Sequence, residues 1–377
     1  MALDEFARIH HWTAQRQSED WQRQRGVVIG IGDDAAVVDT AAAADGVAEP
    51  KRLLLAVDTM VETVHFKQST MRDEDVGYKA LAANISDIAA MGGVPLHALV
   101  SVSVPPSYKP ERMRRLYDGL YECAERYGVA VVGGDTTSSP QHLVVAVTVT
   151  GTVEAGRELR RSGAMPGDAV FVTGAVGMAA AGLHALLAQE ERGAGCKAAE
   201  EDQAVCEAIA ARCDMETAQV AALLQAHQRP SPSVRAGRLL LGRGSCHSLN
   251  DVSDGLASEA WEIAEASGLR LVLEERQLPK SGSMAAYASR VSMDPLEWML
   301  NGGEDYALLG TMTAGAAEET RAIFHKEGIP FFIIGKTEAG SPGVELVRND
   351  LVYAGRAAGH QDYRVELKKQ GYNHFSS

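Results

Sequence analysis

The apolar positions change period along the chain. Residues 52–57 are apolar after their first position and predict a buried strand. Residues 74–91 are rich in alanine and leucine and stop at Gly92-Gly93, which predicts a helix. Residues 97–104 alternate and end at Pro105-Pro106, the pattern of a strand. A second helix follows over 110–127, with proline at its start and Gly128 just past its end. Residues 129–132 and 143–153 read as further strands. A connection over 156–168 holds the basic stretch Arg157-Glu158-Leu159-Arg160-Arg161 and then Pro166-Gly167. The pattern then restarts. A strand at 169–173 leads through a glycine-bearing turn to a helix from about Gly177. Residues 188–226 are charged and alanine-rich and read as a helical excursion. Helices at 234–241 and 254–267 flank a strand at 247–252, and 306–311 and 331–334 complete a second sheet. Residues 41–50 look like a tolerated surface insertion, and no repeat of 20 to 50 residues is evident.

The chain has 377 residues, which favours two domains. The connection places them at 1–158 and 159–377. Hydrophobic residues make up 46% and charged residues 23%, so a folded chain is expected rather than a disordered or fibrous one. No apolar stretch approaches the roughly 18 residues that span a bilayer. The first residues lack the basic and apolar regions of a signal peptide. A cytoplasmic protein without membrane partners is expected. Lys and Arg total 36 against 50 Asp and Glu, a net charge of −14, which argues against a broad nucleic-acid-binding face. The five cysteines (Cys123, Cys196, Cys206, Cys213, Cys246) show no C-x2-C spacing and read as reduced structural thiols.

Acidity becomes informative once its placement is seen. Gly30-Ile31-Gly32-Asp33-Asp34 follows a short β-rich run, and Asp58 follows the strand ending at Val57. Asp87 falls in the last turns of the first long helix. Gly133-Gly134-Asp135-Thr136-Thr137 follows residues 129–132. Asp251-Val252-Ser253-Asp254-Gly255 lies between a strand and a helix, and Gly302-Gly303-Glu304-Asp305 precedes another strand. Glycine-bearing turns at strand ends are where α/β proteins assemble sites. Each aspartate alone has an ordinary use in an Asx turn or helix cap, and Asp254 or Ser253 could cap the helix that follows. Asp87 is different. A carboxylate near a helix C-terminus is disfavoured by about 0.3–1 kcal/mol. Its neighbours Ala89, Ala90 and Met91 suggest burial, which calls for a cation or a good donor.

Converging aspartates repel one another and any anionic substrate. Two or more Mg2+ ions reverse that logic by bridging carboxylates to phosphates, which points to phosphoryl transfer from a nucleotide. The EF-hand, Walker A and protein-kinase motifs are absent. The turn Thr173-Gly174-Ala175-Val176-Gly177 has two readings, a phosphate cradle and close packing, of which packing is the commoner use.

The acidic motifs together resemble those of the thiamine-monophosphate kinase family. The resemblance rests on Gly30–Ala36, Val64-His65-Phe66, Asn84–Gly92, Gly133–Thr137, Arg161-Ser162-Gly163-Ala164, Arg229-Pro230-Ser231-Pro232, Asp251–Leu256, Gly302–Tyr306 and the terminal Gly371-Tyr372-Asn373-His374-Phe375. Related families, including aminoimidazole ribonucleotide synthetase, selenophosphate synthetase and a hydrogenase-maturation dehydratase, share the acidic logic. Val64-His65-Phe66 and the Tyr372 segment favour the thiamine-phosphate enzymes.

The resemblance implies an α/β fold with an α+β N-terminal half, in the two-domain aminoimidazole ribonucleotide synthetase-like arrangement. The N-terminal domain would bind ATP and magnesium and pair its sheet with that of a second subunit in a homodimer. The C-terminal domain would complete the cleft. The implied reaction takes ATP and thiamine monophosphate to ADP and thiamine diphosphate, with several Mg2+ ions. Asp34, Asp58, Asp87, Asp135, Asp251 and Asp254 correspond to metal ligands in that family. Tyr117, Gly134, Asp135, Arg161 and Ser253 correspond to ATP-site residues, and His65, Glu304 and Tyr372 to thiamine-phosphate contacts. Asp87, Arg161 and Asp254 would carry the catalysis. The chain departs from the family at Ala56-Val57-Asp58, where Ser-Thr-Asp is usual, and that substitution leaves the number of metal ions open.

Overall fold

The computed structural model describes residues 20, 23, 27–29, 33–38, 50–191, 202–354 and 357–369. Two sheets organise them. In the first half, β1 (Val27–Ile29), β2 (Ala36–Val38), β3 (Lys51–Val61), β4 (Val94–Val104), β5 (Ala130–Ser138) and β6 (Val144–Glu154) form a six-stranded sheet ordered β1-β2-β3-β6-β4-β5. Only β4 and β5 run parallel. Strand alternation sorts the faces. Val145, Val147, Val149 and Val153 of β6 point under α1 (Asp73–Ala90) and α2 (Pro110–Tyr127) and are buried.

The two helices touch backbone to backbone. A Cβ on Gly77 would lie 1.8 Å from the Leu116 carbonyl oxygen, and one on Gly119 would lie 1.8 Å from that of Glu74. The opposite sheet face is open. The register sets Val57, Thr148 and Leu99 side by side there, and Val57 is 62% exposed and Leu99 47%.

In the second half, β7 (Asp168–Val172), β8 (Cys246–Asp251), β9 (Arg270–Glu274), β10 (Leu308–Thr313), β11 (Phe332–Glu338), β12 (Gly343–Ala354) and β13 (Ala357–Glu366) form a seven-stranded sheet. Its order is β13-β12-β9-β11-β7-β10-β8, antiparallel except for β12 beside β9. Eight helices accompany it among the described residues: α3 (Met178–Glu190), α4 (Asp202–Cys213), α5 (Thr217–Gln228), α6 (Val234–Arg243), α7 (Leu256–Ser267), α8 (Gly282–Val291), α9 (Pro295–Asn301) and α10 (Ala314–Lys326). No described helix is long and apolar enough to cross a membrane.

The halves share packing. The apolar cluster under the first sheet runs on through Leu240, Leu241, Phe171 and Phe324 of the second half. A Cβ on Gly237 of α6 would sit 2.2 Å from the Ala89 carbonyl oxygen, so α6 lies directly on the end of α1. That contact brings the C-terminal turn of α1 to β8.

Several boundaries differ from the pattern-based reading. Gly133, Gly134 and Asp135 lie inside β5 rather than in a turn after it. Glycine is needed there for close approach, since a Cβ on Gly134 would meet the Val100 carbonyl oxygen at 1.8 Å. The hydrophobic pattern does not predict strand β9 or the β12–β13 hairpin. The helical excursion contains α4 and α5. Residues 41–49, Cys196 and the segment 371–375 lie outside the described residues.

Candidate functional site

Three chain segments deliver carboxylates to one point where the halves meet. Asp34 comes from the turn before β2, Asp87 from the last turn of α1, and Asp251 from the end of β8. One ligand oxygen from each lies within 4.8 Å of the others. Ser86 donates a hydrogen bond to Asp251 Oδ2. Asp58 shares its face of β3 with the buried Leu54, Ala56 and Met60. Its backbone N–H donates to Asn84 Oδ1 at 2.9 Å, tying β3 to α1.

The electrostatics record how hard these acids are pressed. Burial pushes Asp34 up to about 8, against the pull of Arg161 and with help from Asp251 and Asp33. Asp87 is raised well above the usual carboxylate range by burial and then by Asp58, Asp251 and Asp34. Burial raises Asp251, and Ser86 and Arg161 oppose it. The protein crowding Asp58, with Asp251 beyond, brings it to about 6. Arg161 is the counter-charge. Its Nε donates to Asp34 Oδ1 at 3.1 Å and to Asn250 Oδ1 at 3.2 Å, and its Nη1 lies 3.7 Å from Glu262. Asp34 Oδ2 is buried without a hydrogen-bond partner. An all-oxygen donor set with an orphaned buried oxygen suits a hard divalent cation such as Mg2+.

The turn after β8 is shaped by a residue that pattern reading missed. Glu259, buried on α7, accepts from Asn250 Nδ2 at 2.5 Å, from the Asp254 backbone N–H at 3.0 Å and from Ser253 Oγ at 3.3 Å. Burial raises its pKa well above normal, with Asp254 and Asp251 adding to the effect. The N-cap of α7 is Gly255, with no side-chain cap bond, so neither Asp254 nor Ser253 serves as that cap. In sequence Glu259 looks like an ordinary helix-surface acid.

Other expected site residues lie elsewhere. Asp135 is exposed on β5, beside Ser101 of β4. Two strands separate β5 from β3, about 14 Å between them at the usual strand spacing. Tyr117 is half-buried on α2, its ring 6.4 Å from that of Tyr121. His65 accepts from the Val61 N–H at 3.0 Å through Nδ1 and so braces the turn after β3. Tyr372 lies outside the described residues.

The glycine-bearing turn before α3 is a packing device. Gly177, with φ of +84°, leaves no room for a Cβ beside the Met299 nitrogen at 2.7 Å. The α3 N-terminus is filled by Asp305, which accepts from the Gly177 and Ala179 N–H groups at 2.5 and 3.1 Å. Burial holds Asp305 at about 7 although these donors favour its ionised form.

Glu304 adjoins the same region through its backbone, since its N–H donates to the Ser253 carbonyl at 2.7 Å. Lys79 donates to its carboxylate, and His227 Nδ1 lies 3.4 Å away. Burial works against ionisation, but these two neighbours hold Glu304 down at about 2. Neither partner was singled out from the sequence. The available signal was a lone lysine between Tyr78 and Ala80-Leu81 in an otherwise apolar helix stretch.

The two halves coincide with the two domains of the AIR synthase-related proteins. Residues 32–153 match the family model of the AIR synthase related protein, N-terminal domain, and residues 165–347 match that of the C-terminal domain. The chain is 38% identical to thiamine-monophosphate kinase of Bacillus subtilis (strain 168), over 99% of this chain and 100% of that protein. It is 32% identical to the Salmonella typhimurium thiamine-monophosphate kinase, over the full length of both. Among solved structures, AaThiL complexed with AMPPCP and TMP is similar with a TM-score of 0.73 and 28% identity, covering 100% of this chain and 99% of that one. The chain belongs to the thiamine-monophosphate kinase family.

Proposed function

We propose that the chain transfers the γ-phosphoryl group of ATP directly to the phosphate of thiamine monophosphate, giving ADP and thiamine diphosphate, the last step of thiamine diphosphate biosynthesis. The observation that carries this reading is the convergence of Asp34, Asp87 and Asp251 within 4.8 Å, in a chain of this family. Asp34, Asp87 and Asp251 would hold Mg2+, with Asp58 and Asp254 as further ligands there and Asp135, two strands away on β5, as a ligand to a separate ion. Bound there, Mg2+ supplies the positive charge that holds nucleotide phosphates and offsets charge spreading over the transferred group.

The chain's own residues do the rest. The acceptor is a phosphate oxygen already ionised near neutral pH, so no strong general base is needed. Arg161 carries a fixed cation at the edge of the carboxylates and screens two anions that must meet in line. Ser253, Gly134 and Tyr117 are assigned to ATP, and His65, Glu304 and Tyr372 to the thiamine phosphate. The departure at Ala56-Val57 bears unequally on this site. Ala56 is 7% exposed in the core, whereas Val57 points to the opposite sheet face from Asp58.

The open row of Val57, Thr148 and Leu99 supports a homodimer through the first sheet, because an uncovered apolar sheet face favours a partner. We assign the domains to residues 1–158 and 159–377 and the protein to the cytoplasm, where ATP and Mg2+ are plentiful. With ATP labelled in the γ-phosphate, the label is expected in thiamine diphosphate, and rapid quenching is expected to find none on the protein. Labelled protein that discharges to thiamine monophosphate would replace direct transfer with a two-step route.

A further inference from the structure

Apart from the aspartate cluster, one buried ionic group joins three distant stretches of chain. Lys79 stands in the middle of α1 and is 1% exposed. Its ammonium donates to Oε2 of Glu304, in the connection between α9 and β10. His227, the penultimate residue of α5, is equally buried. Its Nδ1 lies 3.4 Å from the same Glu304 oxygen and 3.5 Å from the lysine nitrogen. Its Nε2 is buried without a partner. Orphaned buried N–H groups are rarer than under-satisfied acceptors. That assigns the ring proton to Nδ1, where it donates to Glu304, and leaves Nε2 as the bare acceptor.

The turn carrying Glu304 is itself held in an unusual shape. Glu304 has φ of +67° and Tyr306 φ of +51°, a conformation that side chains of this size rarely adopt. Backbone bonds pin the turn: Glu304 N–H to the Ser253 carbonyl at 2.7 Å, and Tyr306 N–H to the Val252 carbonyl at 2.9 Å. Ser233 Oγ donates to the Tyr306 carbonyl at 3.0 Å. Strain sustained by so many contacts marks sites where a side chain must be placed accurately.

Both side-chain contacts fall on Oε2. The Glu304 side chain keeps 29% exposure, which leaves Oε1 to the opening. The ammonium and carboxylate cancel, and the imidazole is neutral. The group therefore offers an oriented hydrogen-bond acceptor rather than a net negative charge. Such an acceptor selects an N–H donor over a cation without one. In thiamine monophosphate the thiazolium nitrogen is fully alkylated, and the donor is the amine on the pyrimidine ring.

Resting on the proposed function and on Glu304 as a substrate contact, we infer that Lys79 and His227 are positioning residues that clamp one oxygen of Glu304 so that the other accepts from the substrate's pyrimidine amine. Equilibrium binding tests this without requiring turnover. Calorimetry on the full chain would compare thiamine monophosphate with oxythiamine monophosphate, which carries oxygen in place of the amine. Wild type is expected to prefer the amine at least tenfold. Lys79→Met is expected to weaken thiamine monophosphate binding about tenfold, roughly 1.4 kcal/mol, to shrink the preference, and to leave ATP binding within twofold. Glu304→Gln, which turns an N–H donor toward the ligand, is expected to abolish or reverse the preference and decides the matter should Lys79→Met fail to fold. Equal weakening toward both ligands, a parallel loss of ATP binding, or an undiminished preference in Glu304→Gln would overturn the inference. A wild type that binds with this preference but makes no thiamine diphosphate would refute the kinase reading and leave the recognition role standing.

Discussion

Asp87→Asn is expected to lower turnover by roughly 100- to 1000-fold, the scale on which removing one element of transition-state charge stabilisation acts. The protein stays folded and, without metal, melts above wild type. Asp87 sits in the carboxyl-terminal turn of α1 with Asp34 and Asp251 within 4.8 Å and with Asp58 raising its pKa further. Two ionised carboxylates at that separation repel by about 3 kcal/mol at an effective dielectric of 20. Partial protonation reduces the relief, and a gain of about 1–2 kcal/mol corresponds to a rise of roughly 1–3 °C in Tm for a chain of this length. An amide keeps the shape and still accepts hydrogen bonds but is a poor ligand for a hard cation. Steady-state kinetics and a metal-free melting curve check both halves together. Near-wild-type turnover with an unchanged magnesium requirement would remove Asp87 from the site, and a lower Tm would mean that it is a structural group.

Metal-free protein is expected to lose stability as pH rises from about 6.5 to 8.5, and Mg2+ to restore most of the loss. The sign follows from the direction of the shifts. Asp34, at about 8, and Asp87, raised well above its usual range, both keep protons that the unfolded chain has already released. Where the folded state binds more protons than the unfolded one, stability falls with rising pH. Other groups act the other way at lower pH. Burial depresses the imidazoles of His227 and His184, so their contribution grows with pH up to about 6.5 and then levels off. Glu304, held at about 2, has completed its contribution by about pH 5. The window above 6.5 therefore belongs to the buried acids with raised pKa, Asp34 and Asp87 together with the neighbouring Glu259. Melting curves with and without Mg2+ should separate by several degrees more at pH 8 than at pH 6, since a cation competes with fewer protons there. An equal separation at both values would contradict the assignment of Asp34 and Asp87 to a metal site.

What could be read without coordinates depended on how local the signal was. Asp34, Asp87 and Asp251 stand out because aspartate beside glycine at an element end, or in a buried helix turn, breaks the ordinary pattern. Their convergence depends on Gly237 of α6 resting on Ala89, a long-range contact that no window of sequence contains. Glu259 shows the limit from the other side. A glutamate in a helix normally faces water, and only the fold turns this one toward Asn250, Ser253 and Asp254. Lys79, His227 and Glu304 are separated by 148 and 225 positions in the relevant pairs, so local spacing says nothing about their meeting. Gly133-Gly134 reads as a turn because glycine usually punctuates, whereas here Gly134 lets β5 lie close to Val100. The reading of Gly174–Gly177 as packing gains support from Asp305, which fills the α3 N-terminus that a phosphate cradle would have needed.

The most direct measurement is a product analysis of purified protein incubated with ATP, Mg2+ and thiamine monophosphate. Thiamine diphosphate and ADP are expected in equal amounts, with neither above background when Mg2+ or thiamine monophosphate is left out. ADP formed without thiamine diphosphate, or no ADP at all from folded, Mg2+-loaded protein, would contradict the kinase assignment.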